Sequence, residues 1–125
     1  MPGIVLLMQR RPIAQGIMRE MGEHPHPQVG YESDYAMAEI IIKSQSADTA
    51  LIEVAESGKY DMHYCLDLCN KLRRQSPECK LVLLCPEQDK ICVAQAVDAK
   101  RDRRIDDFVF YDSSIDYMTS KLLSM

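Results

Sequence analysis

Four apolar runs of this sequence end on side chains that can do chemistry. Ile4-Val5-Leu6-Leu7-Met8 leads into Gln9-Arg10, the run at 49–54 carries Glu53, Lys80-Leu81-Val82-Leu83-Leu84 closes on Cys85, and Phe108-Val109-Phe110 closes on Tyr111. An arginine and a lone carboxylate form an ion pair when the fold lets them meet. A thiol just before a helix can be acidified by the helix N-terminus and become a nucleophile. No histidine stands near Cys85 to act as a base, and the position where a Cys-x₅-Arg phosphatase loop needs arginine is Ile91. Packing is therefore the simpler role for Cys85. Cys65 and Cys69 lie one helical turn apart, a spacing open to a metal or a redox switch. Leu68 and Leu72 share their period, which favours core packing. His24, His26 and His63 have no third ligand at recognisable spacing, so no metal site is expected.

The elements that must position these residues follow from periodicity. Ile4 to Met8 is continuously apolar, as a strand buried on both faces requires. A helix follows, with Pro12 in its first turn, Ile13, Ile17, Met18 and Met21 on one side, and Gly22 as its stop. His24-Pro25-His26-Pro27 cannot continue a helix and is expected to be a connection. A second strand is expected at Gln28 to Glu32, then a helix capped by Ser33 or Asp34 with Met37, Ile40 and Ile41 inward. The third strand spans 49–54, and the loop 55–61 precedes a helix with Cys65, Leu68, Cys69 and Leu72 inward. Lys80 to Cys85 is the fourth strand. Ile91, Ala94 and Val97 mark a helix running into Lys100-Arg101-Asp102-Arg103-Arg104. Phe108 to Tyr111 is the fifth strand, and Ile115, Met118 and Leu122 mark the last helix.

Five strand-helix repeats joined by right-handed crossovers predict an α/β fold, a doubly wound five-stranded parallel sheet with helices on both faces. Functional groups then gather at the carboxyl ends of the strands, where Gln9-Arg10, Glu53, Cys85 and Tyr111 fall. The 125 residues fit one domain, 1–125. With 46% hydrophobic and 27% charged residues the composition is that of a globular protein. A net charge of −4 argues against general attraction to nucleic acid or anionic membrane. No apolar run is long enough to span a bilayer and no secretory signal opens the chain. Five cysteines, an odd number without scaffold density, are expected to be reduced and buried in a cytoplasmic protein. Most of the eight methionines are expected to fill the core. No Gly-rich phosphate loop or dinucleotide fingerprint is present, so no cofactor is expected.

The order and spacing of these segments resemble the receiver domain of bacterial two-component response regulators, a (βα)5 flavodoxin-like family typified by CheY, over nearly the whole chain. Val5-Leu6-Leu7-Met8-Gln9-Arg10-Arg11-Pro12 resembles the family's first strand, acidic pair and following proline. Asp48-Thr49-Ala50-Leu51-Ile52-Glu53 resembles the strand that ends in the phosphoaccepting aspartate. Ser76-Pro77-Glu78-Cys79-Lys80-Leu81-Val82-Leu83-Leu84-Cys85 is similar to the exit of the third helix and the fourth strand. Asp106-Asp107-Phe108-Val109-Phe110-Tyr111 is similar to the stretch that ends in the family's lysine.

The resemblance implies a phosphorelay pocket that has degenerated. Gln9 and Arg10 stand where acidic groups hold Mg²⁺, and a cation there repels a metal that needs hard oxygen ligands. Glu53 takes the phosphoacceptor position with one extra methylene, Cys85 the hydroxyl position, Tyr111 the lysine position. One possibility is that Arg10 pairs with Glu53 in place of the metal; the other is that Arg10 points to solvent. In the family, the face made by the fourth helix, fifth strand and fifth helix carries partner contacts. Lys100, Arg101, Arg103 and Arg104, with Tyr111 and Tyr117, are thus a candidate partner face for an acidic protein surface. The expected function is a non-enzymatic regulatory module of signal transduction acting through protein contacts or as a homodimer. The alternative is a small flavodoxin-like enzyme or thiol redox sensor centred on Cys85.

Overall fold

A computed structural model describes residues 3–23 and 28–125. The His24 to Pro27 connection lies outside the described residues. Five strands, β1 (Gly3–Leu7), β2 (Gln28–Glu32), β3 (Thr49–Glu53), β4 (Lys80–Cys85) and β5 (Asp107–Phe110), form one parallel sheet in the order β2-β1-β3-β4-β5. The helices are α1 (Arg11–Met21), α2 (Ala38–Ser44, entered through a 3₁₀ turn at Tyr35–Met37), α3 (Met62–Gln75), α4 (Lys90–Arg101) and α5 (Ile115–Ser124). Strand order reverses beside β1, so the carboxyl ends of β1 and β3 flank the switch point where such sheets hold ligands. Register pairs Leu7 with Ile52 and Glu53 with Leu84.

Alternation along the strands divides the core in two. Val5, Leu7, Ala50, Ile52, Leu81, Leu83 and Cys85 pack against α2, α3 and α4, whereas Ile4, Leu6, Leu51, Val82 and Leu84 pack against α1 and α5. Every residue of β1 and β3 is buried, which explains the continuous apolar run of β1 and the apolar centre of β3. Helix starts are fixed locally: Asp61 accepts from Tyr64 N, Asp89 from Ile91 N and Cys92 N, and Ser114 from Tyr117 N. α1 begins with a proline in its first turn and no side-chain cap.

The expected inward face of α2 is wrong, and α4 buries a stripe other than the apolar spacing that marked it. In α2 the buried residues are Ala38 and Ile42, following Tyr35, while Met37 (38%) and Ile40 (59%) are exposed and Ile41 is only partly covered. In α4 the buried residues are Cys92, Ala96 and Ala99, while Ile91 (73%), Val97 (46%) and Ala94 face outward. In α4 the buried stripe is made of small or soft side chains, and the larger aliphatics lie at the surface. In α1, Ile17 and Met21 are buried as expected, but Met18 is exposed and Ala14 takes a place in the core. Met8, Met21, Met62 and Met118 fill the core; Met18 and Met37 do not.

Candidate functional site

The Glu53 side chain is 3% exposed and spent entirely on the start of α1. Its Oε1 accepts from Gln9 N at 2.8 Å and Arg10 N at 3.0 Å. Those amides have no partner of their own kind because they precede the first helical turn. Oε2 lies 3.3 Å from Arg10 Nε. The arginine is half-exposed and continues past the carboxylate, with Nη2 3.2 Å from Glu56 Oε1 and its guanidinium 4.1 Å above the centre of the Tyr111 ring. Of the two possibilities the sequence left open, Arg10 stands beside Glu53.

Two tyrosines grip the chain where it leaves β3. Tyr35 is fully buried and its hydroxyl donates to Glu53 O at 2.7 Å; the Tyr111 hydroxyl donates to Val54 O. Burial, reinforced by the Glu53 charge, pushes both phenols well above their ordinary range, so both stay protonated donors. Tyr35 stacks on Tyr60 at 4.0 Å, Tyr60 meets the edge of Tyr64 at 5.0 Å, and Tyr60 OH accepts from Tyr35 N. This aromatic group was missed in the sequence because Tyr35 sits in a turn and Tyr60 in a loop, where no periodicity exposes a burial pattern. Gln9 is also committed, its Nε2 donating to Ser33 O.

Cys85 is not part of the same pocket. Glu53 pairs in register with Leu84, and the pleat sends the next side chain to the opposite face, among Cys65, Cys69 and Cys92. β4 ends at Cys85 and α4 starts only at Lys90, so the thiol does not sit at the helix N-terminus. Burial, then neighbouring Cys92, pushes it up to about 12. Cys69 rises to about 12 and Cys79 and Cys92 to about 11, each chiefly through burial, and Cys65 moves the same way. All five are free and buried. A nucleophile needs the opposite shift.

Above the ion pair opens a cleft of about 550 Å³, lined by Arg10, Glu56, Pro86, Glu87, Gln88, Asp89, Tyr111 and Asp112. Among the described residues no group of three or more His, Cys, Asp or Glu side chains could hold a metal. Mg²⁺ does not fit these residues: both Glu53 oxygens are engaged, Gln9 brings no charged oxygen, and Arg10 presents a cation.

The candidate partner face is divided three ways. Lys100 reaches Asp107 at 3.1 Å, beside Lys121 of α5, which reaches the same carboxylate at 2.7 Å. Arg101 turns back to Asp98 at 2.7 Å. Arg104 instead crosses to α3, with Nε 3.1 Å from Asn70 Oδ1, and Arg103 is exposed beside it. Tyr111 lies at the other end of β5, under Arg10, while Tyr117 is half-exposed on α5 near Lys121.

No family model matches the chain, and no curated protein matches it in sequence. Its fold is matched closely by solved structures. A response regulator from Thermotoga maritima superposes with a TM-score of 0.79 at 16% identity, covering 98% of this chain and 95% of that one. The receiver domain of the Francisella response regulator 1452 gives 0.76 at 17% identity, covering 99% and 95%. An adenylate cyclase from Rhodopirellula baltica gives 0.80 at 15% identity, covering 98% and 84%. The chain has the CheY-like receiver fold, with a pocket in which an internal ion pair stands at the switch point.

Proposed function

We propose that the chain is a single-domain regulatory module of the receiver type, acting in signal transduction through protein contacts rather than as a phosphorylated or catalytic protein. The observation that carries this reading is the Arg10–Glu53 contact at 3.3 Å, with the other carboxylate oxygen taken by two backbone amides. Phosphoryl transfer to a carboxylate needs a free oxygen nucleophile and a metal to neutralise the transferring group. Here the nucleophile is occupied, and a cation that cannot be exchanged for Mg²⁺ lies against it.

The pocket is then a fixed structural element, and information must enter and leave through the surface, as a protein partner or a second copy. Among the described residues no helix is long and apolar enough to cross a membrane, which suits a cytoplasmic module. The thiol-centred alternative loses its support with Cys85 fully buried and pushed up to about 12. Incubation with a small phosphodonor and Mg²⁺ followed by intact mass tests the reading: the expected spectrum is that of the unmodified chain. A stable phosphoryl adduct that disappears in Glu53→Gln would overturn it.

A further inference from the structure

The sequence KRDRR at residues 100–104 closes α4 in a way that isolates one side chain. Arg103 N bonds Lys100 O at 3.1 Å and Arg104 N bonds Ala99 O at 2.8 Å, the paired bonds of a Schellman ending, and Arg103 itself is left-handed with φ +61°. Glycine is the residue this position favours, because a Cβ crowds the backbone there. The neighbouring cations all have structural work. Arg73 holds Arg104 O at 3.3 Å and Asp106 at 2.7 Å, Arg104 holds Asn70, Lys100 holds Asp107, and Arg101 holds Asp98. These bonds draw the end of α4 against the last turns of α3, where Arg74 is also exposed. Among the described residues the Arg103 and Arg74 side chains have no hydrogen-bond or ion-pair partner, and both are exposed. Arg74 complements the α3 dipole. Arg103, just past the end of α4, stands in the same relation to that helix, yet it occupies a conformation that penalises it.

We propose that Arg103 and Arg74, at the amino edge of the sheet between α3 and α4, form a docking site for a carboxylate-rich segment of a partner protein. Two exposed guanidiniums present paired donors suited to side-chain carboxylates. A polyanion such as duplex DNA, by contrast, is held by some six to ten phosphate contacts, more than this pair of side chains supplies on a chain of net charge −4. The site lies at the opposite edge of the sheet from the Arg10–Glu53 pocket.

The test uses the full chain and a short glutamate-rich peptide, followed by backbone amide shifts. Shifts are expected at 70–74 and 102–104 and to diminish with added salt. Arg103→Gly is expected to weaken the peptide about fivefold, from the loss of one charge-assisted contact, while raising the melting temperature. Arg74→Ala provides the second variant, with binding again weakened. The proposal is overturned by absence of peptide binding, by shifts centred elsewhere, by unchanged affinity in Arg103→Gly, or by a lowered melting temperature in that variant, which would make Arg103 structural. Tighter binding of duplex DNA than of the peptide would also overturn it.

Discussion

At the level of single residues the pocket is governed by one buried charge. Glu53 survives burial because three donors surround it, and replacing the carboxylate removes charge-assisted bonds while leaving the donors in place. Glu53→Gln keeps the shape but turns an amide donor towards Arg10 Nε. Urea denaturation is expected to show a loss of about 2 kcal/mol. Tyr35→Phe leaves the Glu53 carbonyl without its buried hydroxyl partner and is expected to cost about 1–2 kcal/mol by the same measurement. The Arg10–Glu56 pair, exposed on both sides, is expected to contribute little, and Glu56→Ala should move the midpoint scarcely at all. The chemistry-bearing residues at the ends of β1 and β3 were legible as types and positions. Their meeting was not, since two spans 43 residues apart carry no local signal of contact. Cys85 packs in the core as expected, but its separation from the pocket was not legible: one step along a pleat decides which side of the sheet a side chain serves.

Elements depend on their ends. α3 starts where Asp61 accepts from Tyr64 N, directly after the loop that bears Tyr60, so this cap also fixes the aromatic group under β3. Asp61→Ala is expected to cost about 1 kcal/mol, read from the thermal midpoint, with greater amide exchange in the first turn of α3. Apolar spacing correctly announced all five helices, yet it chose the wrong inward face for α2, and in α4 the spacing that marked the helix is not the stripe that is buried. Period alone states that a stripe exists; the depth available beneath the helix decides which stripe is used. Against β4 and β5, α4 buries Ala96 and Ala99 and leaves Ile91 and Val97 in solvent.

Across the whole molecule the five thiols make folding sensitive to alkali. In the unfolded chain they ionise near the ordinary value of 9.0, whereas in the folded chain Cys79 and Cys92 do so at about 11 and Cys69 and Cys85 at about 12. A raised folded pKa means that the folded state keeps protons that the unfolded state has released. The stabilisation is therefore complete below pH 9.0 and lost as pH climbs through the folded values. The slope approaches about 1.4 kcal/mol per pH unit for each thiol. Urea midpoints measured across pH 9.0 are expected to fall steeply, and less steeply in Cys85→Ala. The native thiols are expected to resist a thiol reagent until the chain unfolds.

Sequence alone determined the five strand-helix repeats, their order, and the residue types at the strand ends, because hydrophobic period and turn chemistry are local properties written every few residues. Only the tertiary structure decided that Arg10 closes on Glu53, that Tyr35 and Tyr111 hold the exit of β3, and that the basic run splits between three neighbours. Those outcomes depend on register, on pleat parity and on the space between layers, and each of these is set by contacts between segments far apart in the chain.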